Sequence, residues 1–378
     1  MRILQIVQKP QRRGAEIFAL QQSKAMRTQG HTVGTIYLYP YRGEKTIPLQ
    51  PNDWILDGKE THWQEKLPGI NLKLLSQLQK KIMTFAPDIV QVNGARTIKY
   101  GAFVKKYNRP QWKLIYRNID NPTYWVNSQF HLWFYKHLVM PQIDGIVGVS
   151  ETTLERVKTL YHTTAPAQYI PNGIDLSRLQ PVGTTEEARH KLGQAADAKI
   201  VLFMGSLTTQ KRPDRFLRIV HQLHGDFSNI QGWFLGDGPQ RCELERQVAA
   251  LQLENHIRFW GYQEEITSYI AAADLLLVTS DSDGIPAVVL EAGFLGKPTV
   301  GTKVGGMAEC VLDGETGFLI DPQDEMGFAE AVTALLHNAP HCEAMGTQAK
   351  AWVVKNFAMA QVAQQYLDFY QQLIAIGL

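Results

Sequence analysis

The sequence has little cysteine, no long apolar run and no large excess of either charge. Its 378 residues include three cysteines, at positions 242, 310 and 342, and their spacing fits neither a disulfide framework nor a metal site. No stretch approaches the roughly 20 apolar residues of a membrane span, and the apolar run in the first ten residues is too short for a secretory signal. We therefore expect a protein of a reducing compartment, cytoplasmic or peripheral at the inner face of the membrane.

Length and composition indicate an ordinary globular protein of more than one domain. Apolar residues make up 44% of the chain and charged residues 20%, which is typical of folded proteins and argues against disorder. A chain of this length exceeds what one hydrophobic core usually organises. Two domains are the prediction.

The small net charge of +2 hides an asymmetry. Residues 1–170 contain 23 Lys+Arg against 11 Asp+Glu, a balance of +12, and the remainder contains 15 against 25, a balance of −10. Local basic pairs are Arg12-Arg13, Lys80-Lys81 and Lys105-Lys106. The first half is thus predicted to contact an anionic partner, for which we favour a membrane surface over nucleic acid. The alternative is a basic surface that merely keeps the protein dispersed.

Short apolar segments alternate with helical patterns along the whole chain. The predicted strands are residues 3–7, 33–39, 88–92, 113–116, 145–149, 199–204, 232–235, 257–260, 274–279 and 298–301. Helices are predicted between them, for example at 15–29 and 241–251, and a final helix at 361–376. Alternating β and α elements predict parallel sheets covered on both faces. The fold class is therefore α/β, with two doubly wound Rossmann-like domains facing each other across a cleft.

The domain junction is predicted at Pro171-Asn172-Gly173, a turn signal that coincides with the change of charge sign. The predicted domains are residues 1–170 and 171–360. Residues 361–378 would form a helix that packs back on the first domain. Ligands of such sheets bind beyond the carboxyl ends of the strands, so the cleft is the predicted site.

Two loops that follow predicted strands are suited to a phosphate group. Gly14 precedes a helix whose first amides are free to bind an anion, although the three-glycine spacing of a dinucleotide fingerprint is absent. Lys211 and Arg212 stand just before a helix that opens at Pro213. Because cations oppose the dipole at a helix N-terminus, a diphosphate bound between them and the helix would account for their position. An ordinary surface loop is the alternative.

A third loop, Ser280-Asp281-Ser282-Asp283-Gly284, places two carboxylates before an apolar helix. This helix is predicted at about 286–295, with Pro286 as its first residue. Gly284 permits close approach of a ligand. Glu291 lies within this apolar helix, about 7.5 Å further along its axis, and a half-buried carboxylate needs a partner. Sugar hydroxyls are suitable partners, and a carboxylate built into the core is the alternative.

These motifs together resemble one family. The segments that carry the resemblance are Gly14-Ala15-Glu16, Gly30-His31, Pro171-Asn172-Gly173-Ile174-Asp175, Gly205-Ser206-Leu207 with Lys211, Gly236-Asp237-Gly238-Pro239, Phe259-Trp260-Gly261, Ala271-Ala272-Ala273-Asp274, Ser282-Asp283-Gly284-Ile285-Pro286, Leu290-Glu291-Ala292, Gly296-Lys297-Pro298, Gly305-Gly306 and Asp313-Gly314-Glu315-Thr316-Gly317. As an ensemble they resemble the retaining glycosyltransferases of family 4, which have the GT-B fold. The likeness covers nearly the whole chain and is densest over residues 205–317.

The resemblance implies roles for individual residues. The family's Glu-x7-Glu signature corresponds to Asp283-x7-Glu291, which places Asp283 near the donor sugar and Glu291 on the nucleotide ribose, and with Lys211 these would form the catalytic set. The implied donor-binding residues are Gly14, Ser206, Arg212, Gly284, Ile285, Pro286, Ala287 and Glu291. The implied acceptor-side residues are Glu16, Arg117 and Asn118.

The chain departs from the family pattern at three places. Ser206 stands where the family usually has Arg, so Arg212 or Arg117 would have to replace that diphosphate contact. Asp283 is one methylene shorter than the usual Glu, which would alter the choice of sugar. The segment 116–120 lacks the His that the first domain often carries there.

The implied reaction moves a sugar from a UDP- or GDP-linked donor to a hydroxyl of a glycan, glycolipid or small molecule, with retained anomeric configuration. No metal and no further cofactor are expected. Two alternatives remain open: a non-catalytic sugar-nucleotide binder acting as a scaffold or regulatory subunit, and a dinucleotide-dependent oxidoreductase, which the missing glycine triplet disfavours.

Overall fold

The computed structural model describes residues 1–12, 14–41, 43, 46–58, 70–108, 111–119, 126, 128–179 and 183–376. Arg13 of the first basic pair, and residue 120 of the segment 116–120, lie outside these ranges. The chain divides into two compact units, one of Met1–Gly173 with Met359–Leu378 and one of Ile174–Ala358. These limits lie a few residues from the predicted 170/171 and 360/361. The cleft between two domains stays a prediction.

Unit 1 contains a seven-stranded parallel sheet. Its strands are β1 (Arg2–Val7), β2 (Thr32–Tyr37), β3 (Asp53–Ile55), β4 (Ile89–Asn93), β5 (Lys113–Asn118), β6 (Gly145–Gly148) and β7 (Ala167–Tyr169). The spatial order is β3-β2-β1-β4-β5-β6-β7. The order reverses between β1 and β4, which is the switch point of a doubly wound sheet.

The helices of unit 1 cover both faces of this sheet. They are α1 (Gly14–Thr28), α2 (Leu72–Phe85), α3 (Ala95–Asn108), α4 (Gln129–Phe134), which continues through a π-helical turn (Tyr135–Val139) and a 3-10 turn (Met140–Gln142), α5 (Glu151–Tyr161) and the C-terminal helix (Met359–Ala375). Ile3 and Ile89 point to a core shared with α1 and the C-terminal helix. Leu4 and Val90 point to the opposite core, under α2 to α5. This alternation follows from the two-residue period of a strand.

Unit 2 contains a six-stranded parallel sheet of the same kind. Its strands are β8 (Lys199–Met204), β9 (Ile230–Leu235), β10 (Ile257–Gly261), β11 (Leu275–Val278), β12 (Thr299–Thr302) and β13 (Gly317–Ile320). The order is β10-β9-β8-β11-β12-β13. The helices are α6 (Thr185–Lys191), α7 (Pro213–His224), α8 (Arg241–Ala250), α9 (Thr267–Ala272), α10 (Ala287–Phe294), α11 (Met307–Cys310), α12 (Glu325–His337) and α13 (Ala339–Phe357). The switch point lies between β8 and β11.

The predicted α/β class with two doubly wound sheets is confirmed, and each predicted strand overlaps an observed one. Three short strands, β3, β7 and β13, were not predicted. The helix predicted at about 286–295 is present and one residue shorter at each end, from Ala287 to Phe294, but the prediction that Pro286 is its first residue is wrong. Pro286 is its N-cap, with an extended ψ of 125°, because the chain must turn out of the preceding loop before it can enter the helix.

Candidate functional site

The two loops at the switch point of unit 2 hold the strongest site residues. One runs from the end of β8 to α7 and carries Lys211, and the other runs from the end of β11 to α10 and carries Asp283. Because β8 and β11 are hydrogen-bonded neighbours, their carboxyl-end loops lie side by side. Asp281 donates its backbone N–H to the Gln210 carbonyl (2.9 Å). The sequence analysis placed both loops after the carboxyl ends of predicted strands, and the structure adds that these two strands are neighbours.

Glycines fold the first loop against the one after β9. Gly205 and Gly236 have φ of +143° and +142°, and a Cβ on Gly236 would lie 2.0 Å from the Gly205 carbonyl oxygen. Buried Leu207 donates its N–H to the Asp237 carbonyl (3.0 Å). Side chains at the two glycines would therefore push the loops apart, and this explains the paired motifs at 205–207 and 236–239.

A second pair of glycines, Gly305 and Gly306, packs against the backbone of the Asp283 loop. Gly305 has φ of +53°, and a Cβ there would lie 1.7 Å from the Asp283 carbonyl oxygen. Gly306 donates its N–H to the same oxygen (3.1 Å). Gly284 itself faces open space. The backbone at 283–284 is thus fixed from one side and accessible from the other.

Lys211 and Asp283 form an ion pair in this site. The Lys211 Nζ donates to Asp283 Oδ1 at 2.5 Å, and the two side chains are 28% and 11% exposed. The other carboxylate oxygen, Oδ2, is buried and has no hydrogen-bond partner among the described residues. A carboxylate oxygen in such a position has unused capacity to accept hydrogen bonds. The site therefore offers one cation and one acceptor to a ligand.

Arg212, in contrast, is held in an ion-pair network. Its guanidinium donates to both Asp214 oxygens (3.0 and 3.2 Å for Nε) and to Asp281 (3.1 Å). Arg215 is buried and donates to Asp281 Oδ1 (2.8 Å) and to the Thr279 carbonyl (2.5 Å). Asp281, the first carboxylate of the acidic loop, thus anchors arginines. The role of Arg212 in donor binding stays a prediction.

The network lowers the pKa values of its acids. For Asp281, burial raises the pKa, but the hydrogen bonds from Arg215 and Arg212 outweigh it and the pKa lies below its usual value. For Glu325, the hydrogen bond from Arg218 is the largest cause of a lowered pKa. These carboxylates are therefore ionised throughout the neutral range.

Helix α10 carries Glu291 into the interior of unit 2. The side chain is 5% exposed, among apolar neighbours that include Val289 and Leu290. Ala287 opens the helix after the Pro286 cap, and Ile285 and Gly284 lead into it. Ser206 is exposed after β8. The predicted donor-binding residues of unit 2 thus all lie on the loops that follow β8 and β11 or on α10.

In unit 1 the predicted residues lie at the ends of β1 and β5. Gly14 begins α1 with open space around it, and Glu16 is buried in the first turn. Arg117 is 1% exposed, lies 3.8 Å from the Phe18 ring centroid and donates to Asn172 Oδ1 (2.5 Å). These contacts are internal to the unit, and contact of Arg117 with an acceptor stays a prediction.

Asn118 is also engaged inside unit 1. Its amide donates to the Thr153 carbonyl (3.1 Å), and its oxygen accepts from the Tyr116 hydroxyl (2.9 Å). An acceptor contact would have to displace one of these bonds. The predicted role of Asn118 is therefore also left as a prediction.

Two buried titratable groups, one on α3 and one on α4, were missed by the sequence reasoning. Lys99 is buried on α3, and burial, followed by the charge of Arg96, lowers its pKa to about 8. His131 is buried on α4, and burial, followed by the charge of Lys99, lowers its pKa. Perturbed groups beside a sheet's carboxyl edge are typical of functional sites. The signal was Arg96 and Lys99 directly after a predicted strand.

The described part of the chain shows neither a metal-binding cluster nor a helix suited to a membrane span. Among the described residues, no group of three or more His, Cys, Asp or Glu side chains is arranged to hold a metal ion. None of the helices described combines the length and apolar character needed to span a bilayer.

Two Rossmann-like units, with a lysine and a carboxylate at the switch point of the second, define a protein of the GT-B class. Models of two families match the chain: "Glycosyl transferases group 1" over residues 184–352 and "Glycosyltransferase Family 4" over residues 12–178. Together they cover most of both units. The chain belongs to the family 4 glycosyltransferases with the GT-B fold.

Characterised relatives and solved structures agree with this assignment. N-acetyl-alpha-D-glucosaminyl L-malate synthase of Bacillus anthracis is 27% identical over 62% of this chain and 61% of its own length. The 2-deoxystreptamine N-acetyl-D-glucosaminyltransferase of Niallia circulans is 31% identical over 46% of this chain and 45% of its own. The matches thus span about half to three fifths of these relatives.

Among solved structures, Anabaena Alr3699/HepE in complex with UDP superimposes with a TM-score of 0.81 at 21% identity, over 98% of this chain and 100% of that one. Sucrose-phosphate synthase from Thermosynechococcus elongatus gives a TM-score of 0.78 at 21% identity, over the whole of both chains. At this identity the likeness establishes the fold.

Proposed function

We propose that the protein transfers a sugar from a UDP- or GDP-linked donor to an acceptor hydroxyl, with retained anomeric configuration. The observation that carries the proposal is the pair Lys211 and Asp283 on neighbouring loops at the switch point between β8 and β11. The complex of Alr3699/HepE with UDP supports a nucleotide donor. No observation favours the non-catalytic alternative.

The donor would bind across the two loops and α10. Lys211 and the backbone N–H groups of Gly284, Ile285 and Ala287 face the diphosphate, where negative charge grows as the sugar leaves. Asp283 accepts hydrogen bonds from sugar hydroxyls through its buried oxygen, and Glu291 accepts them from the ribose. Ser206, which is exposed after β8, carries no charge of its own.

The chemistry requires few protein groups. The bond between the sugar C1 and the phosphate oxygen breaks, a bond from C1 to the acceptor oxygen forms on the same face, and the acceptor's proton passes to the leaving phosphate. Because the leaving group takes the proton, the protein needs no general base. Its contribution is positioning and electrostatic stabilisation of the diphosphate.

Unit 1 would bind the acceptor, a glycan, a glycolipid or a small molecule. Lys99 and His131, together with Glu16 at the start of α1, are our candidates for its carboxyl edge. The basic balance of residues 1–170 also supports a peripheral contact of unit 1 with an anionic membrane. Of the predicted lysines, Lys105 is paired with Asp144, while Lys80 and Lys106 are exposed.

The test begins with a thermal-shift screen of the purified protein against UDP- and GDP-linked sugars. A stabilising donor is then supplied with candidate acceptors, and the anomeric configuration of the product is read by NMR. We expect donor-specific stabilisation and a product of the donor's configuration. An inverted product would overturn the retaining mechanism. Binding with neither transfer nor donor hydrolysis would favour the non-catalytic scaffold.

A further inference from the structure

Three neighbouring helices of unit 1 contain basic residues and no acidic ones. They are α2, α3 and α4 with its π-helical turn to Val139, and they pack side by side on one face of the sheet. We call them the basic helical layer. Its residues include eight Lys or Arg and no Asp or Glu, although the whole chain has 38 basic and 36 acidic residues. The positive balance of the first half is thus concentrated here.

The same layer exposes large apolar side chains. They are Leu72 (76%), Met83 (67%), Tyr107 (70%), Phe130 (58%) and Trp133 (50%). Single exposed apolar residues are ordinary on a protein surface, but a group on adjacent helices marks an interaction surface. Each of the three helices contributes at least one of these side chains.

Helix α4 shows the pattern most sharply. Phe130, Trp133 and His137 follow one another at the i, i+3, i+7 spacing of a single helical stripe. The ring centroids of Phe130 and Trp133 are 6.2 Å apart, and those of Trp133 and His137 are 5.8 Å apart. The opposite side of α4 and its π-helical turn carries His131 and Tyr135, which are both buried. One side of the helix therefore holds it in the fold while the other presents a row of aromatic rings.

The combination of cations and exposed rings selects the partner. An anionic bilayer attracts Lys and Arg by about 1 kcal/mol each near its surface. Amphipathic rings such as that of Trp favour the boundary between headgroups and acyl chains. A nucleic acid or an anionic polysaccharide would match the lysines but would leave Leu72, Met83 and Phe130 in contact with a polar surface.

We propose that the basic helical layer docks unit 1 on an anionic lipid bilayer, with Phe130 and Trp133 entering the headgroup region. Lys80, Lys81, Lys106 and Lys136 supply the electrostatic attraction, since Lys73 and Lys105 already pair with Asp57 and Asp144. This surface is distinct from the switch-point loops of unit 2. Docking and catalysis can therefore fail independently.

The test is co-sedimentation of the full chain with vesicles of phosphatidylcholine alone or mixed equally with phosphatidylglycerol. We expect binding to the mixed vesicles at low salt that weakens as salt rises. F130S/W133S and K80E/K106E should each weaken it at least tenfold, because the first removes two rings from the headgroup region and the second reverses two of the attracting charges. The matched controls in unit 2 are M326S, at a residue 71% exposed, and K355E, at an exposed lysine. Both should bind like the unaltered protein.

A conservative variant reports on insertion itself. W133F should retain vesicle binding while losing the part of the tryptophan quenching by brominated lipids that Trp133 contributes. Circular dichroism and thermal unfolding verify that each variant is folded, and calorimetry with UDP, whose proposed site lies in unit 2, keeps the docking result separate from the proposed transferase activity.

Several outcomes would overturn the proposal. They are equal binding to both vesicle types, no binding to either, or unchanged binding by F130S/W133S. Self-association of the protein without lipid that F130S/W133S abolishes would assign the surface to a second copy of the chain. Tight binding of nucleic acid or anionic polysaccharide that depends on the same rings would assign it to those polymers.

Discussion

The Lys211 ammonium and the Asp283 carboxylate are joined by a 2.5 Å ion pair. The group that we assign to the diphosphate is therefore held by the group that we assign to the sugar. A diphosphate that takes the ammonium must compete with Asp283, and Asp283 is then released toward the sugar hydroxyls. This exchange couples phosphate binding to preparation of the sugar site, and it leads to the first two predictions.

Asp283→Asn should bind UDP more tightly while transferring sugar more slowly. The substitution frees Lys211 and removes a negative charge near the diphosphate, so we expect the Kd for UDP to fall several-fold. Loss of the carboxylate acceptor should lower kcat at least tenfold. Calorimetry and steady-state kinetics measure the two effects, and weaker UDP binding would show that no such competition exists.

Lys211→Ala should reduce kcat far more than it reduces stability. A cation that faces charge developed in the transition state contributes a factor of about 10² to 10³ in rate. The pair is partly solvated, so its removal should change the free energy of unfolding by about 1 kcal/mol. Initial rates and urea unfolding give the comparison. Full activity in this variant would remove Lys211 from the diphosphate site.

Glu291→Gln should weaken UDP binding about tenfold without loss of the fold, because a hydrogen bond to a charged acceptor becomes a neutral one. The control is 2′-deoxy-UDP. It should bind the unaltered protein more weakly than UDP does, and it should lose little further affinity in the variant. If the affinity lost through the substitution and the affinity lost through removal of the 2′-hydroxyl simply add, Glu291 does not contact that hydroxyl. Its role would then be that of a core carboxylate.

Arg215→Met should destabilise unit 2 by about 2 kcal/mol, because the Thr279 carbonyl oxygen would lose its bond from the buried guanidinium and Asp281 would keep only its bonds from Arg212. Arg246→Met is the matched control, since its pair with Glu243 lies on the surface and such pairs contribute little. Denaturant unfolding measures both. Equal values would mean that the Arg215 contacts are not formed in solution.

The same ion-pair network makes the free energy of unfolding decrease at acid pH. Asp281 and Glu325 have pKa values below their ordinary ones, so they contribute stability above the unfolded-state pKa of about 4. That contribution is lost as the pH falls through the lowered folded-state values. Arg215→Met should flatten this acid limb of the unfolding free energy against pH. A limb of unchanged slope would exclude Asp281 as its source.

Transferase activity should survive excess chelator. The proposed stabilisation of the diphosphate uses Lys211 and helix-end amides, which need no ion. Assays with and without EDTA, and with added Mn²⁺ or Mg²⁺, provide the measurement. Loss of activity on chelation that Mn²⁺ restores would contradict the prediction.

The sequence predicted the architecture because long buried strands are strongly apolar. Continuous apolar runs occupy 200–204 in β8 and 275–278 in β11, and the helices around them show clear spacing. The strands β3 and β7 have three residues each, and Asp53-Trp54-Ile55 carries no period that could be recognised. Their place is set by pairing with a longer neighbour, which a local pattern does not contain.

The site was predicted only in part, because local motifs indicate which loop a residue lies in and not which side chain it meets. The positions of Lys211, Asp283 and Glu291 follow from motifs, but which carboxylate meets which cation is decided in three dimensions. Asp281 and Asp283 are two residues apart, yet one anchors arginines and the other meets Lys211. Lys99 and His131 come together from α3 and α4, and no spacing along the chain reveals that.

Ile174–Ala358 is inserted between the two parts of unit 1. Unit 1 therefore cannot finish folding until unit 2 has been translated. During synthesis, the face of the unit 1 sheet that carries Ile3, Ile89 and Ile115 lacks part of its core. The missing part is supplied by Tyr366 and Tyr370 once the C-terminal helix has been translated. At 5 to 20 residues per second this delay is roughly 10 to 40 seconds. The second unit can fold meanwhile, so the unit whose translation begins first is completed last.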